Sequence, residues 1–180
     1  MTPLPARSAP FTGGRPGHRL RRTAAFSLVE LAVTILIISI VAALGVPALK
    51  KARLNARSTA AINDLRVFAG AFQAYAQEKS DWPAATVAAA EIPAGMQPYL
   101  STTGWERVSP IGGSYAWGRD TLQQGERYRA ALLILNVGEN RVTDDRRQLA
   151  DIDRKIDDGN LDTGIFRLGF RNQPVFVIEH

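Results

Sequence analysis

The chain has no cysteine, which excludes disulfides and thiolate metal sites. Histidine is nearly absent too. The two that occur, His18 and His180, sit in an irregular leader and at the last position, so imidazole catalysis or metal binding in a folded site is not expected. No acid stands before residue 26, where Arg7, Arg15, Arg19, Arg21 and Arg22 lie. All 17 acidic residues, and all but these five of the 22 basic ones, follow Ala25. The net charge of +5 therefore belongs to the leader. The neutral remainder carries no electrostatic footprint for nucleic acid, and no nucleic-acid partner is expected. Charge of either sign is missing again from Leu31 to Leu49. With no histidine–cysteine chemistry and no recognisable nucleophile motif, the sequence does not predict an enzyme.

What is present divides into parts. Residues 1–25, rich in Pro, Gly, Arg, Ser and Thr, cannot bury enough surface to offset their ordering entropy and read as a basic leader. Residues 26 to about 79 read as one long helix. Its first part, 26–49, is a span of about 20 apolar residues, matching the roughly 30 Å of a bilayer's hydrocarbon. Thr34 and Ser39 can return their hydroxyls to the preceding turn. Lys50, Lys51, Arg53 and Arg57 follow the span, but the leader arginines tip the orientation towards a cytoplasmic N-terminus. Gly45 and Pro47 are expected to kink or loosen the helix.

In residues 50–82 the pattern becomes amphipathic. Ile62, Leu65, Ala69, Phe72 and Ala76 recur at spacings of three and four, with Asn63, Arg66, Gln73 and Gln77 between them. Asp81-Trp82-Pro83 then ends the helix. A continuous helix would reach about 80 Å, more than a small domain can contain.

Residues 83–180 form the head. Ala84–Ala90 reads as a short helix or a loop, and turn signals follow at Thr103-Gly104, Pro110–Gly113, Gly138–Asn140 and Asp158–Asn160. Between them SYAWG (114–118), RAALLILNV (129–137), IFRLGF (165–170) and VFVIE (175–179) read as strands. A helix lies between them, with Thr143 as its cap, Asp144 and Asp145 at the positive end of its dipole, and Gly159 as its stop. Leu149, Ile152 and Ile156 give it an apolar face. The expected fold class is α+β: a long N-terminal α-helix packed on a small antiparallel β-sheet.

The stretch AFSLVELAVTILIISIVAALGVPALKKA, after Arg21 and Arg22, resembles the N-terminus of type IV pilins and the pseudopilins of type II secretion. Across about residues 20–55 it shows the family's basic leader, a phenylalanine (Phe26) at the cleavage point, a glutamate (Glu30) four residues on, a uniform apolar helix, and a proline near its end. Where the family normally has glycine before the cut, this chain has Ala25, the smallest substitute. The resemblance implies a subunit inserted once in the bacterial inner membrane, with a cytoplasmic N-terminus and a periplasmic head. It implies removal of residues 1–25 by a prepilin peptidase between Ala25 and Phe26, N-methylation of Phe26, and assembly on an inner-membrane platform. The product is a filament of pilin-like subunits, either a type IV pilus-like fibre or a type II secretion pseudopilus, in the periplasm or on the cell surface.

On that reading the cut creates an α-amine one helical turn from Glu30. When helices pack side by side, the carboxylate of one can reach the amine of its neighbour. A charge in hydrocarbon seeks a partner, so the pair acts as a register device, while the apolar surface and surrounding membrane lipid give association without specificity. The plainer readings are an ordinary signal anchor with Glu30 at headgroup level, and a secretory signal peptide cut within VAALGVPA. Two further functional readings are a minor tip subunit whose head binds DNA, a surface or a secreted substrate, and a membrane-anchored periplasmic enzyme using carboxylates alone.

The acids Asp151, Asp153, Asp157, Asp158 and Asp162, with Asn160, raise calcium as a cofactor, Asp153, Asp157, Asp158 and Asp162 being the candidate ligands. Their spacing does not fit an EF-hand, and Arg154 and Lys155 supply local countercharge. The favoured reading is no cofactor, only a solvated helix end followed by a turn. Trp82, Trp105, Trp117, Phe166, Phe170 and Phe176 are read as core in preference to a stacking platform for sugars or bases.

Overall fold

The computed structural model describes residues 26–86 and 88–180. The leader, residues 1–25, with Ala25 and its arginines, lies outside them. Contacts within the chain separate two compact units, Met1–Ala43 and Leu44–His180.

One helix, α1 (Leu28–Lys79), enters both. It starts where Ser27 ends the irregular backbone: the Ser27 hydroxyl accepts the Glu30 N–H at 3.4 Å, and its carbonyl accepts the Leu31 N–H at 3.1 Å. α1 is helical through Gly45 and Pro47. Proline has no N–H for the carbonyl four residues back, that of Ala43, which is where the two units divide. α1 ends at Lys79, followed by Ser80 at φ 58°.

In the second unit, α1 buries one stripe. Ala61, Ile62, Leu65, Phe68, Ala69 and Phe72 are buried, while Asn63, Arg66, Gln73 and Gln77 are exposed, as the spacing of three and four requires. The stripe packs on a four-stranded antiparallel sheet of order β1-β2-β4-β3. Its strands are β1 (Ser114–Gln123), β2 (Glu126–Leu135), β3 (Phe166–Leu168) and β4 (Pro174–Glu179). Tyr115, Trp117, Leu132, Ile134 and Phe166 share the core with α1, whereas Ala116, Ala131, Leu133, Val175 and Val177 form a second apolar cluster. That is the period-two alternation of a pleated strand. The fold is α+β.

Several elements differ from the sequence reading. The described parts of Ala84–Ala90 are non-helical, and a single-turn helix, α2 (Gln97–Leu100), follows instead. β1 and β2 are longer than expected. They form a tight hairpin in which Gln124 (φ 47°) and Gly125 (φ 90°) both take the left-handed conformation that a two-residue turn of matching twist demands. The helix α3 (Arg146–Ile156) is capped by Asp145, not Thr143. Asp145 Oδ1 accepts the N–H groups of Arg147 (3.0 Å) and Gln148 (3.3 Å), and a carboxylate is favoured at this positive end. Thr143 Oγ1 instead accepts the Asp145 N–H at 3.3 Å. α3 stops at Ile156, and Gly159 (φ 87°) turns the chain in the loop beyond.

Candidate functional site

From Phe26 to Arg57 every residue is exposed. Leu28, Val29, Ile38, Val41 and Leu44 each expose more than 60% of their surface. Apolar surface on that scale requires lipid or other helices to cover it. The hydroxyls do not interrupt it, because Thr34 Oγ1 donates to the Leu31 carbonyl at 2.9 Å and Ser39 Oγ to that of Ile35 at 2.7 Å. Each polar atom is thus satisfied inside its own helix, as a hydrocarbon environment demands.

Glu30 sits in the first turn of α1 and is exposed. Ser27 and Glu30 have the spacing of a capping box, S-x-x-E. The sequence reading missed Ser27, although that motif would have revealed it. Ser27 caps the Glu30 N–H, but among the described residues the Glu30 carboxylate has no hydrogen bond or ion pair in return. Phe26 precedes the helix and is 69% exposed.

The head holds a second set of candidate residues. Asp153 is fully buried, Asp157 and Asp158 are exposed, and one ligand oxygen from each lies within 4.8 Å of the others. The structure brings these three together. Asp162 is not in the group; its N–H donates to Asn160 Oδ1 at 3.2 Å. The surrounding loop holds two of the acids. Asp157 Oδ2 accepts the Ile165 N–H at 2.6 Å, while Asp158 accepts the Asn160 N–H at 2.7 Å and the Thr163 hydroxyl at 3.1 Å. No hydrogen bond of good geometry reaches either oxygen of Asp153, but the Gly159 N–H and the Asp158 carboxyl lie close enough to act on it. Burial, with the charges of Asp158 and Asp157 beside it, pushes the Asp153 carboxyl up to about 6. The Asn160 N–H holds Asp158 below the usual carboxylate range.

The aromatics belong mostly to the core. Trp105, Trp117 and Phe166 are buried, and Phe72 stacks on Trp117 with centroids 3.9 Å apart and planes 10° from parallel. The indole N–H groups of Trp105 and Trp117 donate to the carbonyls of Glu91 (2.8 Å) and Pro83 (3.0 Å). Trp82 and Phe176 are half-buried against the same core. Phe170 is exposed, with the Arg171 guanidinium 5.2 Å from its ring centroid.

The sequence reading also passed over Asp64, a buried acid on the stripe of α1. Its Oδ1 accepts from Arg107 Nη2 at 2.6 Å and its Oδ2 from the Tyr115 hydroxyl at 2.9 Å. It joins α1, the loop after α2, and β1.

No protein-family model and no curated protein matches this chain. Among solved structures, the major type IV pilin PilA1 from Clostridium difficile aligns with 71% of this chain and 97% of its own, at 16% identity and a TM-score of 0.49.

Proposed function

We propose that this chain is a structural subunit of a type IV pilus-like or type II secretion pseudopilus filament, assembled through α1. The leader is removed between Ala25 and Phe26 by a prepilin peptidase, and the new amine is methylated. The apolar half of α1 holds the subunit in the inner membrane, with the head in the periplasm, until the assembly platform inserts it among other pilin-like subunits. The observation that carries this reading is a fully exposed, uncharged helical surface that opens on a glutamate with no partner among the described residues. A soluble protein does not leave so much apolar surface uncovered, and a plain anchor has no use for a desolvated acid. In the filament Glu30 takes the amine of a neighbouring Phe26. Two charges withdrawn from water attract far more strongly than in it, so an axial offset that leaves both unpaired is rejected. Gly45 and Pro47 serve as the weak point at which the helix adjusts during packing, since a missing backbone hydrogen bond lowers the cost of bending there.

The test is Glu30→Ala in cells that process the native chain. Membrane insertion and the mass loss of residues 1–25 are expected to be unchanged, while the variant fails to enter filaments. Normal incorporation would remove the register argument, and a native chain still beginning at Met1 in the assembled filament would remove the processing.

A further inference from the structure

One cleft in the head, of about 510 Å³, is assembled from separate stretches of chain. Arg141 comes from the loop after β2, Arg146 and Leu149 from the start of α3, Leu168 from the end of β3, and Arg171 from the loop before β4. The two leucines are buried and the three arginines are exposed, so the cleft is apolar inside and cationic at its mouth.

Other arginines of the head are neutralised: Arg107, Arg119, Arg129, Arg154 and Arg167 each pair with an acid. The guanidinium groups of Arg141, Arg146 and Arg171 make no ion pair or hydrogen bond among the described residues. Asp144 is the single acid in the lining, which leaves two positive charges in excess. Arg146 also stands in the first turn of α3, where the helix dipole disfavours a cation. The lining amides add donors. Asn136 Oδ1 already accepts the Val142 N–H at 2.8 Å, and Gln173 Oε1 accepts the Asn136 N–H at 2.9 Å. A backbone N–H fixes which end of each amide is oxygen, so each has its NH2 group left to give. Like charges and donors gathered without acceptors suit an anion rich in oxygen.

Arg171 is held in place at a cost. It and Asn172 lie at φ 57° and 56°, a conformation unfavourable without glycine. The β1–β2 hairpin fastens the chain just before them: Gln123 Oε1 accepts the Phe170 N–H at 2.9 Å, and Gln124 Nε2 donates to the Gly169 carbonyl at 2.9 Å.

We propose that this cleft binds a phosphate ester, supplied by the headgroup of an anionic membrane lipid. A tetrahedral phosphate presents more acceptor oxygens than a carboxylate does, and it can use forked guanidinium donors arriving from separate walls. Position points to lipid. Gln148 Nε2 donates at 3.3 Å to the hydroxyl of Ser58, the first buried residue of α1. Ser58 follows Leu49, the end of the apolar stretch, by about 13 Å of helix. Lys50, Lys51, Arg53 and Arg57 lie between them, and basic residues so placed attract anionic headgroups. The lipid source rests on the reading that the apolar half of α1 lies in a bilayer.

The full chain in non-ionic detergent micelles is titrated calorimetrically with glycerol 3-phosphate. Saturable binding at one site per chain is expected, and phosphatidylglycerol mixed into the micelles should displace it. Arg171→Gly is expected to weaken binding about ten-fold or more while raising Tm, because glycine relieves the left-handed backbone. Arg147→Gln removes the same charge from a neighbour outside the cleft, and should change affinity by no more than about two-fold. Absence of saturable binding would overturn the site. So would unchanged binding by Arg171→Gly, or an equal loss in Arg147→Gln. Binding that phosphatidylglycerol does not displace would overturn the lipid as its source. Glu30→Ala should bind as the native chain does, which separates failure of this site from failure of filament assembly.

Discussion

Replacing Arg107 by methionine tests whether the bond between α1 and the sheet depends on a charge that water cannot reach. The Asp64 side chain is 7% exposed and Arg107 is 59% exposed, so the two partners face loss of the pair unequally. With Arg107 gone, a buried carboxylate keeps only the Tyr115 hydroxyl as a donor. Breaking a buried pair in that way costs about 3 to 5 kcal/mol, and the half-open side left by arginine admits enough water to bring this to roughly 2 to 3 kcal/mol. Asp64→Asn removes the charge instead. Its amide oxygen still accepts from Tyr115, and the freed guanidinium turns to solvent, so about 1 kcal/mol is expected. The double variant should then be more stable than Arg107→Met alone, because the stranded charge is gone. Urea unfolding of the full chain in detergent, followed by tryptophan fluorescence, gives all three values. If Arg107→Met costs no more than Asp64→Asn, Asp64 is hydrated and the reasoning fails.

Two other outcomes follow from the geometry. Ser80, held at φ 58° just beyond α1, occupies the position where glycine is favoured; Ser80→Gly should raise stability by up to about 1 kcal/mol, and a loss in urea unfolding would contradict that placement. Burial, then the bond from its hydroxyl to Glu126, raises Tyr128 to about 12, so the folded state holds that proton more tightly than the unfolded chain does. Its stabilising contribution is complete below pH 10 and lost as pH climbs through about 12. Absorbance titration should show Tyr128, and Tyr115 beside Asp64, ionising after an ordinary tyrosine; a single shared transition near pH 10 would refute it.

The long helix was readable because its two halves obey different, simple patterns: unbroken apolarity up to Leu49, then Ile62, Leu65, Ala69 and Phe72 at helical spacing. The strand cores were readable from alternation, but the hairpin was not. Gln124-Gly125 is not the usual Asn-Gly, and the glutamine is explained by a distant contact, its Nε2 donating to the Gly169 carbonyl at 2.9 Å. α2 has too few residues to show a period. Thr143 and Asp145 are both good caps, and only backbone conformation chooses between them. In the head, the acids around 151–162 were visible, but their fates were not. Asp153 lies four residues after Leu149 and beside Ile152, on the apolar face of α3, which was the available sign that it turns inward. That Asp157 and Asp158 come to meet it, and Asp162 does not, depends on the glycines and cross-loop bonds of 157–165. No short-range pattern encodes those.

The sheet order carries a consequence for timing. β4 lies between β2 and β3, although ribosomes make it after both. β3 pairs with β4 alone, so it has no strand partner until β4 arrives. The indole of Trp82, just past α1, donates to the Glu179 carboxylate across 97 positions of sequence, and closing so long a loop is entropically slow. Until β4 is made, the sheet stays open at the β2 edge. The Trp82–Glu179 bond therefore forms only after β4 has been made and has taken its place between β2 and β3.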